Sequence, residues 1–264
     1  MLTETQRREY LLRIENALVL ATKTANELRA REFALVDRGG RDVVTEVDRS
    51  LCDLLHKELA RPGEGWLSEE HPDDTERLGC SLCWVVDPLD GTREFVDGIP
   101  EWCISIGLVE NGMAIAGGIS NPATGEVFLG ALDCGVTLNG EPVQPTNRIS
   151  LDGALVLASR SECKRGEWTQ GQNCRFSIQP MGSVAYKLSR VAAGLADATW
   201  TLTPKHEWDV AGGVALMRAA GGWVCLPDGL VPDFNQAQIL LPGLIACGAN
   251  LRAEIFGLLG VVTH

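Results

Sequence analysis

Stacked layers of α and β structure are what this sequence predicts, on three observations. The chain begins with two amphipathic helical stretches. A block of short β-branched segments divided by turn residues follows. From Ala154 onward, strand-like and helix-like segments alternate. In order, a first helix is expected over about residues 3–31, because Leu11, Ile14, Leu18, Ala21, Ala25 and Leu28 recur at spacings of three and four. Thr3 with Gln6 has the form of a capping box at its start. After Gly39-Gly40 a second helix is expected from about Thr45 to Leu59, ending at Pro62-Gly63.

The next block reads as an antiparallel sheet. Trp84–Val86, Cys103–Val109, Met113–Ser120, Glu126–Ala131 and Gly135–Leu138 are short and apolar, and Asn111-Gly112 and Asn139-Gly140 are turn signals. The C-terminal part is expected to run strand Ala154–Ser159, helix Ser183–Gly194, strand Ala198–Leu202, helix Asp209–Ala220, strands Gly222–Leu226 and Leu244–Gly248, and a last helix over Asn250–Leu259. Nothing resembling a linker, repeat or low-complexity tract divides the chain.

Composition narrows the function. The 264 residues are 45% hydrophobic, enough for a sizeable core, and the net charge is −12. An acidic chain repels long polyanions, so a nucleic acid polymer is a poor partner. A small phosphorylated molecule remains compatible if one pocket concentrates positive charge, which bound metal cations supply most directly. Met1–Glu9 is polar and charged, unlike a secretory leader, and no stretch approaches the length of a membrane span. Nine Cys in such a chain read as reduced thiols in a cytoplasm. Cys80 and Cys83 form a single C-x-x-C without a second pair at zinc spacing, so they read as ordinary small residues rather than a metal site.

The densest chemistry lies in Asp87-Pro88-Leu89-Asp90-Gly91-Thr92, directly after the apolar strand Trp84–Val86. Both Asp side chains are expected where that strand ends, with Pro88 and Gly91 bending the backbone so that carboxylates, carbonyls and N–H groups converge. Hard divalent cations take oxygen ligands of this kind. Further carboxylates stand at Asp48, near the expected start of the second helix, at Glu69-Glu70, and at Asp209, at the head of an apolar helix.

In sequence, these motifs resemble the inositol monophosphatase superfamily of Mg²⁺-dependent, typically lithium-sensitive phosphatases. The resemblance runs through Val43–Asp48, Leu67–Glu70, Trp84–Phe95, Met181–Asp197 and Trp208–Gly222. It implies an αβαβα fold, with residues 1–150 forming an N-terminal α+β part and residues 151–264 a C-terminal αβα part that contributes Asp209. It implies two or three Mg²⁺ ions. Glu69, Asp87 and the Leu89 carbonyl would hold the first; Asp87, Asp90 and Asp209 the second; a third would lean on Glu69 through water. Thr92, hydrogen-bonded to Asp48, would orient the attacking water, and the N–H groups of Gly91 and Thr92 would face the phosphate. A homodimer is the quaternary state common in that superfamily.

Substrate choice divides the motifs. Thr92-Arg93-Glu94-Phe95 and Val156–Ser161 resemble bacterial 3'(2'),5'-bisphosphate nucleotidases, which remove the 3'-phosphate from adenosine 3',5'-bisphosphate. Arg160 or Lys187 would then meet the second phosphate, with the helix start at Ser183 cradling an anion. Phe95–Pro100 looks instead like the corresponding segment of inositol monophosphatases and histidinol-phosphate phosphatases. The first assignment is preferred and the second stays open. So does a non-catalytic, regulatory or binding role, although a degenerate member is expected to lose metal carboxylates and none is missing here.

Overall fold

The computed structural model describes residues 1–33, 41–71, 73, 75–168 and 175–261; the expected break at Gly39-Gly40 lies outside the described residues. Helix α1 (Glu4–Phe33) begins at the expected cap, where the Thr3 and Gln6 side chains each accept the other's backbone N–H. Helix α2 (Arg41–Leu59) starts before Thr45, since nothing in Arg41-Asp42-Val43-Val44 breaks a helix. Asp48 therefore sits about two turns inside α2 rather than at its start. Ile14, Leu18 and Ala21 of α1 and Val47, Leu51 and Leu55 of α2 are buried together against one face of the first sheet, around Trp84, Val86, Ile104 and Ile106.

That sheet has seven strands in sequence order: β1 (Gly65–Ser68), β2 (Leu82–Asp90), β3 (Cys103–Glu110), β4 (Met113–Asn121), β5 (Glu126–Ala131), β6 (Gly135–Leu138) and β7 (Glu141–Val143). It is antiparallel except that β1 pairs parallel with β2. Asn111-Gly112 and Asn139-Gly140 make the β3–β4 and β6–β7 turns, all four residues having positive φ as tight hairpins require.

Beyond a five-residue helix, α3 (Thr92–Val96), the second half adds β8 (Leu155–Ser159), α4 (Arg160–Lys164), β9 (Ser177–Met181), α5 (Val184–Ala192), β10 (Ala198–Thr201), β11 (Lys205–His206), α6 (Glu207–Ala219), β12 (Trp223–Cys225), β13 (Leu240–Leu241), β14 (Leu244–Cys247) and α7 (Arg252–Leu259). The second sheet is ordered β12-β14-β10-β8-β9; β11 and β13 form a separate two-stranded ribbon. Strand β9 was not expected from the sequence: Pro180 weakens its pattern, and it is tolerated because β9 is an edge.

Helices α5 and α6 fill the space between the sheets, in a core that includes Val85, Ile119 and Phe128 from one side and Leu157, Leu244 and Ala246 from the other. Helix α7 covers the outer face of the second sheet through Ile255 and Phe256. The layers are thus αβαβα. Gly117 and Gly118 in β4 set the tightest contacts. A Cβ on Gly117 would lie 2.4 Å from the Gly212 carbonyl of α6, and one on Gly118 would lie 2.4 Å from Ile14 of α1. Both helices can press directly on the strand only because those side chains are absent. Among the described residues no helix is long and apolar enough to cross a membrane.

Candidate active site

The expected end of the strand after Val86 is in fact a bulge. Strand β2 continues to Asp90, with Asp87 opposite Ser105 but Asp90 opposite Cys103. Three steps on β2 match two on β3, so one extra residue is accommodated at Pro88-Leu89. In a regular strand Asp87 and Asp90 would point to opposite faces. The extra residue puts them on the same face, as Ser105 and Cys103 are. Gly91, at φ +98°, ends the strand where a Cβ would come within 2.9 Å of the Glu101 carbonyl. Parallel pairing of β1 with β2 carries Glu69 to the same edge, just beyond the Ser68–Val86 pair. The close approach of α6 to β4 brings Asp209 there as well.

These groups line one cavity of about 370 Å³: Glu69, Asp87, Leu89, Asp90, Gly91, Thr92, Arg160, Ser183, Lys187 and Asp209 all face it. Each of the three aspartates uses one oxygen structurally. Asp87 Oδ1 accepts from Leu89 N at 3.0 Å, and Asp209 Oδ2 accepts from His206 N at 2.9 Å, a cap at the start of α6. Asp90 Oδ2 accepts from Ser183 Oγ and Ala185 N, both at 2.7 Å. The remaining oxygen of each is left for the cleft.

Burial raises every one of these acids, and repulsion from neighbouring carboxylates adds to it at Glu69, Asp87 and Asp209, whereas hydrogen bonds and lysines oppose it at Asp90. Asp87 is pushed well above the usual carboxylate range, by desolvation first and then by Asp90, Glu69 and Asp209. Asp209 rises to about 7 through burial and Asp90, and Asp48 to about 8 through burial, Glu70 and Glu69. Glu69 and Asp90 are raised by burial as well. Among the described residues no three His, Cys, Asp or Glu side chains close into a ready ligand set. The donor set nevertheless fits a hard divalent cation, being all oxygen, buried and in need of positive charge.

Three expected contacts differ. The Thr92 hydroxyl donates to the Leu89 carbonyl at 3.1 Å, and no hydrogen bond joins it to Asp48 among the described residues. At the helix start expected to cradle an anion, the Ala185 N–H is taken by Asp90 and the Tyr186 N–H by Ser183 Oγ, while Ser183 itself donates to Asp90 and is held at φ +51°. Arg160 reaches the cavity already engaged by Glu101 and by Glu94, so its charge is largely neutralised. Lys187 is buried, donates to the Ser183 carbonyl at 3.1 Å, and is lowered to about 8 by desolvation, which Asp90 opposes. Arg93, from the Thr92–Phe95 motif, also lines the cavity, as do Arg165 and Lys205, which belong to no motif singled out above. Lys205 comes from the small β11–β13 ribbon, for which the sequence carries no periodic signal. Cys80 is partly buried and Cys83 buried, both as free thiols.

A model of the inositol monophosphatase family matches residues 7–255. An inositol-1-monophosphatase from Mesorhizobium japonicum is 34% identical over 253 residues, spanning 90% of this chain and 94% of that one. A Nus factor SuhB from Xylella fastidiosa is 32% identical, over 80% of each chain. Among solved structures, SuhB from Mycobacterium tuberculosis matches with a TM-score of 0.73 at 29% identity, over 94% of this chain and 95% of that one.

Proposed function

This chain belongs to the inositol monophosphatase family and is a phosphatase, and from that premise we propose that it hydrolyses a small phosphate monoester with the help of bound Mg²⁺. The observation that carries this reading is the set of oxygens left over by Asp87, Asp90 and Asp209 in a cavity that also holds Glu69 and the Leu89 carbonyl. Glu69, Asp87 and Leu89 would hold one ion, and Asp87, Asp90 and Asp209 another. When bound, the cations neutralise phosphate charge and lower the pKa of a coordinated water.

The chain's own residues do the rest. Thr92, its proton committed to the Leu89 carbonyl, keeps lone pairs to accept from an attacking water. Asp48, buried near Glu69 and Glu70, is the nearby base. Water adds to phosphorus, the ester P–O bond breaks, and the departing oxygen takes up a proton to give an alcohol and inorganic phosphate. Ser183 and the Ala185 N–H fix Asp90 so that it cannot turn away from the cavity.

For the substrate, the reading favoured by the cleft is adenosine 3',5'-bisphosphate. Lys187 and Lys205 give the cavity cationic groups besides Arg160 and Arg165, which Glu94, Glu101 and Glu167 already pair, and this suits a second phosphate. An inositol monophosphate is the second reading, supported by the relatives that carry that name at 31–34% identity. A panel of adenosine 3',5'-bisphosphate, inositol 1-phosphate and histidinol phosphate, each with Mg²⁺, with added Li⁺, and with EDTA, tests both. Phosphate release that stops in EDTA and falls with Li⁺ is expected. Full release in EDTA would overturn the metal-dependent reading, and no release from any substrate would favour a binding or regulatory role.

A further inference from the structure

A second cavity, of about 480 Å³, adjoins the catalytic one and takes no part in the chemistry above. Its wall is aromatic. Trp168 stacks on Trp200 with ring centroids 4.8 Å apart and planes at 24°, and Phe176 meets Trp200 edge-on at 5.9 Å. Leu202, Leu258 and Leu259 complete an apolar lining. Leu202 is more than half exposed.

The two cavities share a partition. Thr203 lines both. Glu162 lines the aromatic one, and its carboxylate accepts from Trp168 Nε1 at 3.1 Å and from the hydroxyl of Thr201, which lines the catalytic one. Arg165, in the catalytic cavity, pairs with Glu167, in the aromatic cavity. Glu162 is itself buried and N-terminal in α4, so Trp168 is held by a fixed acceptor rather than by a surface contact.

We propose that the aromatic cavity binds a planar aromatic or heteroaromatic ring, such as a nucleobase, belonging to the same molecule whose phosphate lies among the carboxylates. This rests on the phosphatase reading for the position of the phosphate. A ligand held there at one end reaches across Thr203 onto Leu202 and Trp168. Tryptophan faces stack on planar aromatic rings, whose whole face is apolar, more fully than on polyols, whose hydroxyls need water or polar partners. The site therefore discriminates by the group that carries the phosphate, whereas the carboxylates see only the phosphate.

The test is a calorimetric comparison of adenosine 3'-monophosphate with ribose 3-phosphate, which differs by lacking the base, using the full chain with Ca²⁺ in place of Mg²⁺ as the oxygen-liganded cation, so that the phosphate is held without turnover. The base should tighten binding about tenfold or more, the usual worth of one stacked base. In Trp168→Ala that advantage should collapse towards unity, and in Trp168→Phe much of it should return. Trp168 is the outer ring of the stack and only partly buried, and a thermal melt of each variant checks that it folds. Equal affinities for the two ligands in the wild type would overturn the proposal, as would an advantage that persists in Trp168→Ala. Because the comparison reads binding alone, it stands apart from the phosphate-release panel, whose failure would overturn the phosphatase reading instead.

Discussion

Glu207 and Asp209 lie two positions apart at the start of α6, and burial raises both to about 7. Their surroundings differ in kind. Glu207 is fully buried, and each of its oxygens accepts a backbone N–H, from Asn235 at 2.7 Å and Gln236 at 3.0 Å. The same loop is gripped by the buried guanidinium of Arg77, which donates to Asn235 Oδ1 and the Gln236 carbonyl while pairing with Asp73. Asp209 satisfies one oxygen with the His206 N–H and turns towards three other acids. A raised pKa alone does not separate a structural carboxylate from a functional one. What separates them is whether the second oxygen already has a partner.

Four measurements break or sharpen that contrast. The largest effect is expected at the unsatisfied side: Asp209→Asn or Asp90→Asn should lower kcat on the order of a hundredfold to a thousandfold. The melting temperature of the metal-free protein should hardly fall, because a repelling charge has gone. A melting loss as large as the activity loss would make these residues structural.

At the satisfied side, Glu207→Ala leaves two N–H groups and a nearby buried guanidinium short of a partner. A cost of about 3 kcal/mol is expected, or roughly 6–12 °C in melting temperature for a chain of this size. Thermal denaturation in EDTA reads this without interference from catalysis. A Glu207→Ala protein that melts like the wild type but loses activity would reverse the assignment.

The third measurement is pH dependence. Asp48, Glu69, Asp87, Asp90 and Asp209 all keep their protons to higher pH when folded than in the unfolded chain. The folded state then binds more protons, so stability falls as pH rises from the unfolded carboxylate range, near 4, through about 7 to 8. Melting temperatures in EDTA should decline across that window, and saturating Mg²⁺ should flatten the decline. An identical slope with and without Mg²⁺ would show that cations do not bind among these groups.

The smallest effect separates Lys187 from Arg160. Lys187→Met should raise KM for adenosine 3',5'-bisphosphate about tenfold to a hundredfold, the worth of a charge-assisted hydrogen bond. Arg160→Ala should raise it less, because Glu94 and Glu101 already hold that guanidinium. The reverse order in steady-state kinetics would mean that Arg160 leaves its partners to meet the ligand.

Much of this was legible from local pattern. Spacings of three and four drew α1, and Asn-Gly pairs drew two hairpins, because both depend on a few adjacent residues and their allowed backbone angles. The order of Asp48, Glu69, Asp87, Asp90 and Asp209 along the chain was sufficient to propose the chemistry. The bulge was not legible: Asp-Pro-Leu-Asp looks like a turn until β3 is laid beside it and one residue proves to be extra.

By itself, then, the sequence determined the layered α and β order, the kind of metal-seeking oxygen the site offers, and a net negative charge. Only the tertiary structure decided which carboxylates are already satisfied, that Arg160 is paired, and that Trp168 and Trp200 stand beside the cleft. The reason is separation along the chain. Arg77 meets Asn235 across 158 positions and Arg160 meets Glu101 across 59, and no local periodicity reports which distant donor will reach a given oxygen.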